Sequence, residues 1–215
     1  MEEILNKYPL LKDQNVPRET LIDFESFIAM LQKINEEINI ISKETAKNEI
    51  IRERHIVDSA QIIEYIDLNS KIITDIGSGG GMPGIVISII LKNMKNQAKI
   101  HLYGKSHHKS AFLRNVSREL KLNTEIMELN IFEAQNIESG TIVVRAFKPL
   151  PIVLDLVNKN FCSYKNLILF MGKNGEKVLE ETLKYWDFDF EKKKSITSKD
   201  SFLLNIKNIK KKIIN

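Results

Sequence analysis

The chain has 215 residues, 43% of them apolar, and carries 32 Lys and Arg against 28 Asp and Glu, a net charge of +4. That length supports one well-buried core with a small extension, and the mildly basic balance predicts a soluble protein without by itself establishing a nucleic-acid partner. Cys162 is the sole cysteine, which excludes an internal disulfide and fits a reducing cytoplasm, and no window has the uninterrupted apolar length of a membrane span.

The chain opens on an acidic stretch broken by Pro9, with no basic start followed by a long apolar core, so no secretory signal is expected. Leu21, Phe24, Ile28, Leu31, Ile34, Ile38 and Ile41 then recur at spacings of three and four, the stripe of a helix that packs on something. A second helical pattern covers 47–67. From there short β-rich runs alternate with helical ones. Strands are expected at KIITDI (71–76), KIHLY (99–103), NTEIMEL (123–129), TIVVRAF (141–147) and NLILFM (166–171), with helices near 83–94, 108–121, 151–160 and 174–185. Such alternation builds a parallel sheet covered on both faces. The tail, YWDFDFEKKKS and SFLLNIKNI, reads as an antiparallel hairpin finishing that sheet. The expected division is an N-terminal helical extension, 1–68, and one compact unit, 69–215.

The segment DIGSGGGMPG (75–84) concentrates the chemistry. In a doubly wound sheet, ligands bind beyond the carboxyl ends of the strands, and the end of the first strand is the usual place. Asp75 is followed by Gly77, Gly79 and Gly81 at even spacing, where the missing Cβ lets the backbone turn tightly and lie against a ligand. Pro83 suits a first helical turn. A dinucleotide fingerprint would want its third glycine where Met82 stands. The D-x-G-x-G-x-G pattern instead resembles motif I of class I S-adenosylmethionine-dependent methyltransferases.

Three further segments extend that likeness: RHIVDSA (54–60), KSAFLRNVSRELKLN (109–123) and VVRAFKPLP (143–151). In this order, with the glycine loop, they resemble the bacterial RsmG/GidB family, which methylates N7 of a guanine in the 530 loop of 16S ribosomal RNA. The likeness covers about residues 20–207. It implies a Rossmann-like α/β methyltransferase fold, S-adenosylmethionine as cofactor, and 16S ribosomal RNA or the small ribosomal subunit as partner, with no DNA and no membrane, acting as a monomer. By position it assigns the cofactor to Asp75, Gly77, Gly79, Gly81 and Met82, its adenine to the Ile131 and Phe132 backbone, and Arg145 to the mouth of the fourth strand; the N-terminal helices contact RNA. Two positions depart from the family. The second strand ends at Gly104 where an acid usually meets the ribose hydroxyls, with Ser106 or a water as substitute, and Met171 replaces a lysine whose charge Lys173 supplies from two residues on.

Guanine N7 offers an in-plane lone pair and no proton, so methylation needs alignment rather than a general base, plus stabilisation of the cationic ring that forms. Arg145 and Phe147 suit hydrogen bonding and stacking of the base; alternatively Arg145 pairs with Asp75 or another carboxylate and closes the sheet edge. On a helix Arg54, Asp58, Gln61 and Tyr65 fall within about 60° of one another, opposite Val57, Ala60 and Ile63. That face makes Arg54 and Asp58 catalytic candidates, or else a solvated ion pair. His55 lies between the faces, as an RNA contact or a structural histidine. Lys105, His107, His108, Lys109, Arg114, Arg118 and Lys121, with Lys192–Lys194 and Lys210–Lys212, are candidate phosphate contacts or solvated charge. No His/Cys set has metal-ligand spacing, so no metal is expected. Two other readings stay open: a nicotinamide-dependent oxidoreductase on the same sheet, and a non-catalytic RNA-binding or assembly protein.

Overall fold

The computed structural model describes residues 18–42 and 46–213, so the acidic start with Pro9 lies outside the described residues. Helix α1 (Arg18–Glu37) carries the first stripe, with Phe24, Ile28 and Leu31 buried, and ends before Ile38 and Ile41. Helix α2 spans 48–60 in three registers: α-helical at Asn48–Ile51, π-helical at Arg52–Val57 and α-helical again at Asp58–Ala60. A 3-10 turn, Ile63–Tyr65, follows, so the expected uniform helix over 47–67 is replaced by a shorter and irregular one.

The rest alternates as the sequence pattern requires: β1 (Ile72–Ile76), α3 (Gly84–Asn93), β2 (Lys99–Tyr103), α4 (His107–Glu119), β3 (Thr124–Met127), β4 (Ile137–Glu138), β5 (Thr141–Val144), α5 (Leu150–Asn160), β6 (Phe161–Ser163), β7 (Asn166–Met171), α6 (Gly175–Leu183), β8 (Trp186–Lys194) and β9 (Phe202–Lys211). Seven strands form one sheet in the order β3-β2-β1-β5-β7-β9-β8. Pairing is parallel through β7, and the β8–β9 hairpin joins antiparallel. The short β4–β6 pair was not signalled by the sequence. Strand β5 stops at Val144, three residues before the apolar run suggested, because the chain bends at Arg145 and Ala146 adopts φ +49°.

Period-two alternation sorts the strands between two cores. Ile73, Ile100, Leu102, Val143, Ile168 and Leu203 face α1, α2, α3 and α4. Ile142, Val144, Leu167, Leu169, Leu204 and Ile206 face α5 and α6. The N-terminal helices therefore share a continuous core with the sheet. Polar pins fix the junction: Asn166 donates to the Tyr65 carbonyl (3.0 Å) and to Asn205 Oδ1 (2.8 Å), while Thr141 Oγ1 accepts from the Asp67 N–H (3.0 Å) and donates to Asn166 Oδ1 (2.8 Å). Among the described residues no helix is long and apolar enough to cross a membrane.

Strand order reverses between β1 and β5, which places the loop after β1 over the cleft that such sheets open there. Gly77, Gly79 and Gly81 have φ of +75°, +54° and +93°, a region costly for any residue with a Cβ. Asp75 anchors this loop from beneath. It is 1% exposed, its Oδ2 accepts the Gly84 N–H at the start of α3 (3.0 Å), and its Oδ1 has no partner. Pro83 sits one residue before that helix rather than in its first turn.

Burial pushes the Asp75 carboxyl up from 3.8 to about 7, against the opposing pull of the Gly84 N–H. The folded chain then holds a proton that the unfolded chain has released, so this group makes stability fall as pH rises from about 4 towards 7. Asp75→Asn keeps the acceptor for Gly84 and removes the titration. Urea unfolding across that range should show a flatter pH dependence for the variant; parallel curves would mean that Asp75 is ionised in the folded protein throughout.

Candidate active site

Two clefts open at the carboxyl edge of the sheet, separated by the bend at 145–148. The first is a cavity of about 410 Å³. Its floor is the bare backbone of Gly77 and Gly79, one wall is the end of β2 with the start of α4, and the other is the 3-10 turn Ile131–Glu133. Phe147 roofs it. The Phe147 ring stacks on Phe132 (centroids 6.0 Å apart) and lies so close to Gly77 that a Cβ there would run into it. Leu113, Leu129 and Ile131 make the interior apolar enough for a flat heteroaromatic ring, while the glycine backbone offers N–H and C=O groups for a polar end. No carboxylate lines this cavity; Lys105, Lys109 and Lys148 do.

Of the residues proposed as cofactor ligands, Gly77, Gly79, Ile131 and Phe132 line the cavity, and Asp75, Gly81, Met82 and Arg145 do not. Asp75 works beneath the loop, and Met82 is buried in the core that the loop covers. Lys109 and Phe147, assigned to RNA, also line the cavity. Gly104 also lines it, and nothing lies within 4 Å of where its Cβ would be.

The second cleft, about 370 Å³, holds Arg145, Arg54 and Asp58, with Phe170 and the Ser195 to Ser201 turn of the hairpin. Arg145 is its centre. Its guanidinium pairs with Asp58 Oδ2 (3.0 Å), donates to the Arg54 carbonyl (2.5 Å) and lies 5.6 Å from the centre of the Phe170 ring. The π segment explains that carbonyl's availability: the Asp58 N–H bonds to the Glu53 and His55 carbonyls, leaving Arg54 O for Arg145. Of the carboxylates open to Arg145, Asp75 or another, the partner is thus Asp58. The Arg54–Asp58 surface pair does not form, because Asp58 Oδ1 accepts from Gln61 (2.8 Å) and Thr197 (2.6 Å). Gln61 is buried rather than solvated, and Tyr65 turns away to donate to Glu191 (2.9 Å). His55 lies under Arg145 with its Nε2 buried and without a partner among the described residues. Burial, then the Arg145 and Arg54 charges, hold its pKa down at about 4, leaving no charge to offer a phosphate at neutral pH.

The remaining basic candidates divide. Arg114 and His107 both pair with Glu128 (2.6 and 2.7 Å), and Arg118 bonds Asn115 (2.7 Å) and Glu119 (3.3 Å). Lys105, Lys109 and Lys148 make no ion pair among the described residues, and neither does Lys173, which is exposed beyond Gly172 of the second cleft. The sequence reading missed Thr197 and Ser195, whose contact with Asp58 spans most of the chain, and Lys148, which only the bend after β5 brings to the cavity.

Comparison with known proteins bears on this geometry. Solved structures confirm the fold: a methyltransferase from Geobacter sulfurreducens superposes with a TM-score of 0.55 at 12% identity, covering 85% of this chain and 88% of that one. A SAM-dependent O-methyltransferase from Thermotoga maritima gives 0.51 at 12% identity, covering 73% and 66%. In sequence, the ribosomal RNA small subunit methyltransferase G of Pelagibacter ubique is 80% identical over 99% of this chain and 100% of its own length. The protein of the same name from Rickettsia felis is 34% identical over 91% of this chain and 97% of its own. Residues 20–206 match the family described as GidB, rRNA small subunit methyltransferase G, and with a glycine-floored cleft at the sheet's switch point this chain belongs to that family.

Proposed function

We propose that this chain transfers the methyl group of S-adenosylmethionine to N7 of a guanine in the 530 loop of 16S ribosomal RNA, as a cytoplasmic monomer acting on RNA and not on DNA. The observation that carries the reading is the pair of clefts sharing the 145–148 wall, one suited to a nucleoside and one polar and centred on Arg145. When bound, the cofactor supplies an already activated methyl group. Gly77 and Gly79 would hold its amino-acid end, with Asp75, Gly81 and Met82 shaping the loop from below, and the Ile131 and Phe132 backbone would bracket the adenine.

The target base enters from the Arg145 side. N7 needs no deprotonation, so the protein's task is alignment, an effect that can supply several kcal/mol of the barrier. Arg145, fixed by Asp58 and the Arg54 carbonyl, positions the base edge, and the Phe147 and Phe170 rings offer π-faces to a guanine that becomes cationic. An RNA loop, whose bases can be splayed out, suits such a site better than a duplex. Lys109 and Lys173, with Lys148, supply charge for phosphates; Arg114, Arg118 and His55 take part only by leaving their present partners.

Arg145→Ala should leave a folded protein, since Asp58 keeps Gln61 and Thr197 as partners, while methylation falls by roughly 100-fold or more. Transfer of labelled methyl to small ribosomal subunits measures this, and turnover at the wild-type rate would remove Arg145 from the mechanism. Arg145→Lys should recover little, because an ammonium cannot serve the carboxylate, the carbonyl and the ring together.

Gly104→Asp tests the cofactor side. The position has room for the side chain and a φ outside the left-handed region, and one charge-assisted hydrogen bond of about 1.5–3 kcal/mol would tighten cofactor binding by roughly tenfold or more. Calorimetry showing no gain would mean that the ribose does not lie over the end of β2.

A further inference from the structure

The cavity holds a polar feature that the loop and the aromatic pair leave unused. Ser110, on the second turn of α4, is 2% exposed and lines the cavity, and its hydroxyl makes no hydrogen bond with any described residue. The hydroxyl is not sealed off from the cavity, so it is available to bond a molecule bound there. Four residues earlier Ser106 occupies the N-cap of the same helix and also lines the cavity. An N-cap serine ordinarily turns its oxygen onto its own helix, yet this one makes no such bond.

We propose that Ser110 and Ser106 form the subsite for the ribose hydroxyls of the bound nucleoside, a neutral replacement for the carboxylate that sheets of this type place at the end of the second strand. This rests on the methyltransferase reading above. The end of β2 is Gly104, with open space beside it, and the cavity contains no acid. Asn130 also lines the cavity, but its amide already donates to Glu133 (2.8 Å) while its oxygen accepts the Phe132 N–H (3.4 Å). Lys105 and Lys109 can donate but not accept. Among the lining side chains with no hydrogen bond to a described residue, only the Ser106, Ser110 and Tyr103 hydroxyls can both donate to and accept from a sugar diol, and the two serines stand one turn apart on α4.

The test is calorimetry with S-adenosylhomocysteine and its 2′-deoxy and 3′-deoxy analogues. Wild-type protein should bind at least one deoxy analogue about tenfold more weakly than the parent, the value of one hydrogen bond. Ser110→Ala, checked by its melting temperature, should bind the parent as weakly as that analogue and no longer tell the two apart; Ser106→Ala should do the same in part. Gly104→Asp added to Ser110→Ala should restore discrimination. Equal wild-type affinity for all three ligands, or full discrimination retained in both serine variants, overturns the proposal and leaves the methyltransferase reading intact. Failure of the wild-type protein to bind either S-adenosylmethionine or S-adenosylhomocysteine overturns both.

Discussion

The Arg145 guanidinium is the joint on which the site's architecture turns. It holds a carboxylate and a carbonyl of α2 and an aromatic ring of β7, so three segments far apart in the chain meet at one planar cation. Bonds of this charge-assisted kind contribute about 1.5–3 kcal/mol each, but the larger consequence is geometric. Because Arg145 is drawn towards α2, the chain leaves the β5 ladder at Val144 and bends, and that bend makes the wall between the two clefts. Asp58 would be expensive to keep this sheltered if it were unpaired; Arg145, Gln61 and Thr197 together satisfy it.

The glycine loop solves a different problem by a similar economy of parts. Its backbone must pass close to a ligand in left-handed conformations, and something must stop it from collapsing into the space it frames. Asp75 holds the far end of the loop through the Gly84 N–H, while a Cβ on Gly84 would strike the Asp75 carboxyl and Leu102. Phe147 presses on the other side at Gly77. The floor is thus fixed from below by a buried carboxyl and from above by a ring, leaving backbone polar groups as the surface a ligand meets. One wall of this cavity and the centre of the other cleft come from the same four residues, so a change at 145–148 alters both.

Much of the fold was legible in the sequence, and the reason is local. Alternating β-rich and amphipathic runs are set by burial on two faces, so the sheet, its flanking helices and the terminal hairpin follow from periodicity alone. The Asp75 loop was legible too, because only a backbone requirement explains so many glycines together. What failed was information carried by contacts distant in sequence. The π segment at Arg52–Val57 has no local signature, and the helical wheel through Arg54, Asp58, Gln61 and Tyr65 assumed a uniform 100° step that the chain does not keep. Asp75 sits under the loop, where its carboxyl accepts the N–H that begins α3, a contact that the glycine pattern does not announce. Ser110 has no signal of its own in the sequence; only the fold places it in the cavity wall.

Charge shows the same limit most clearly. The run from Lys105 to Lys121 holds seven basic side chains, and as text it reads as one patch. In space it separates by partner. Glu128 draws in His107 and Arg114, and Asn115 and Glu119 occupy Arg118, so the guanidiniums best suited to phosphate are already engaged. Among the described residues Lys105 and Lys109 make no ion pair and line the cavity with Lys148, where the end of β2 and the bend after β5 converge, whereas Lys121 lies beyond the far end of α4. Exposed ion pairs contribute little to stability, about 0–1 kcal/mol, so exchanging Glu128 for an RNA phosphate costs Arg114 little. Unpaired lysines exchange nothing but water. The charge of this segment is therefore set by which side chains find a carboxylate in space, which the count of basic residues along the chain does not reveal.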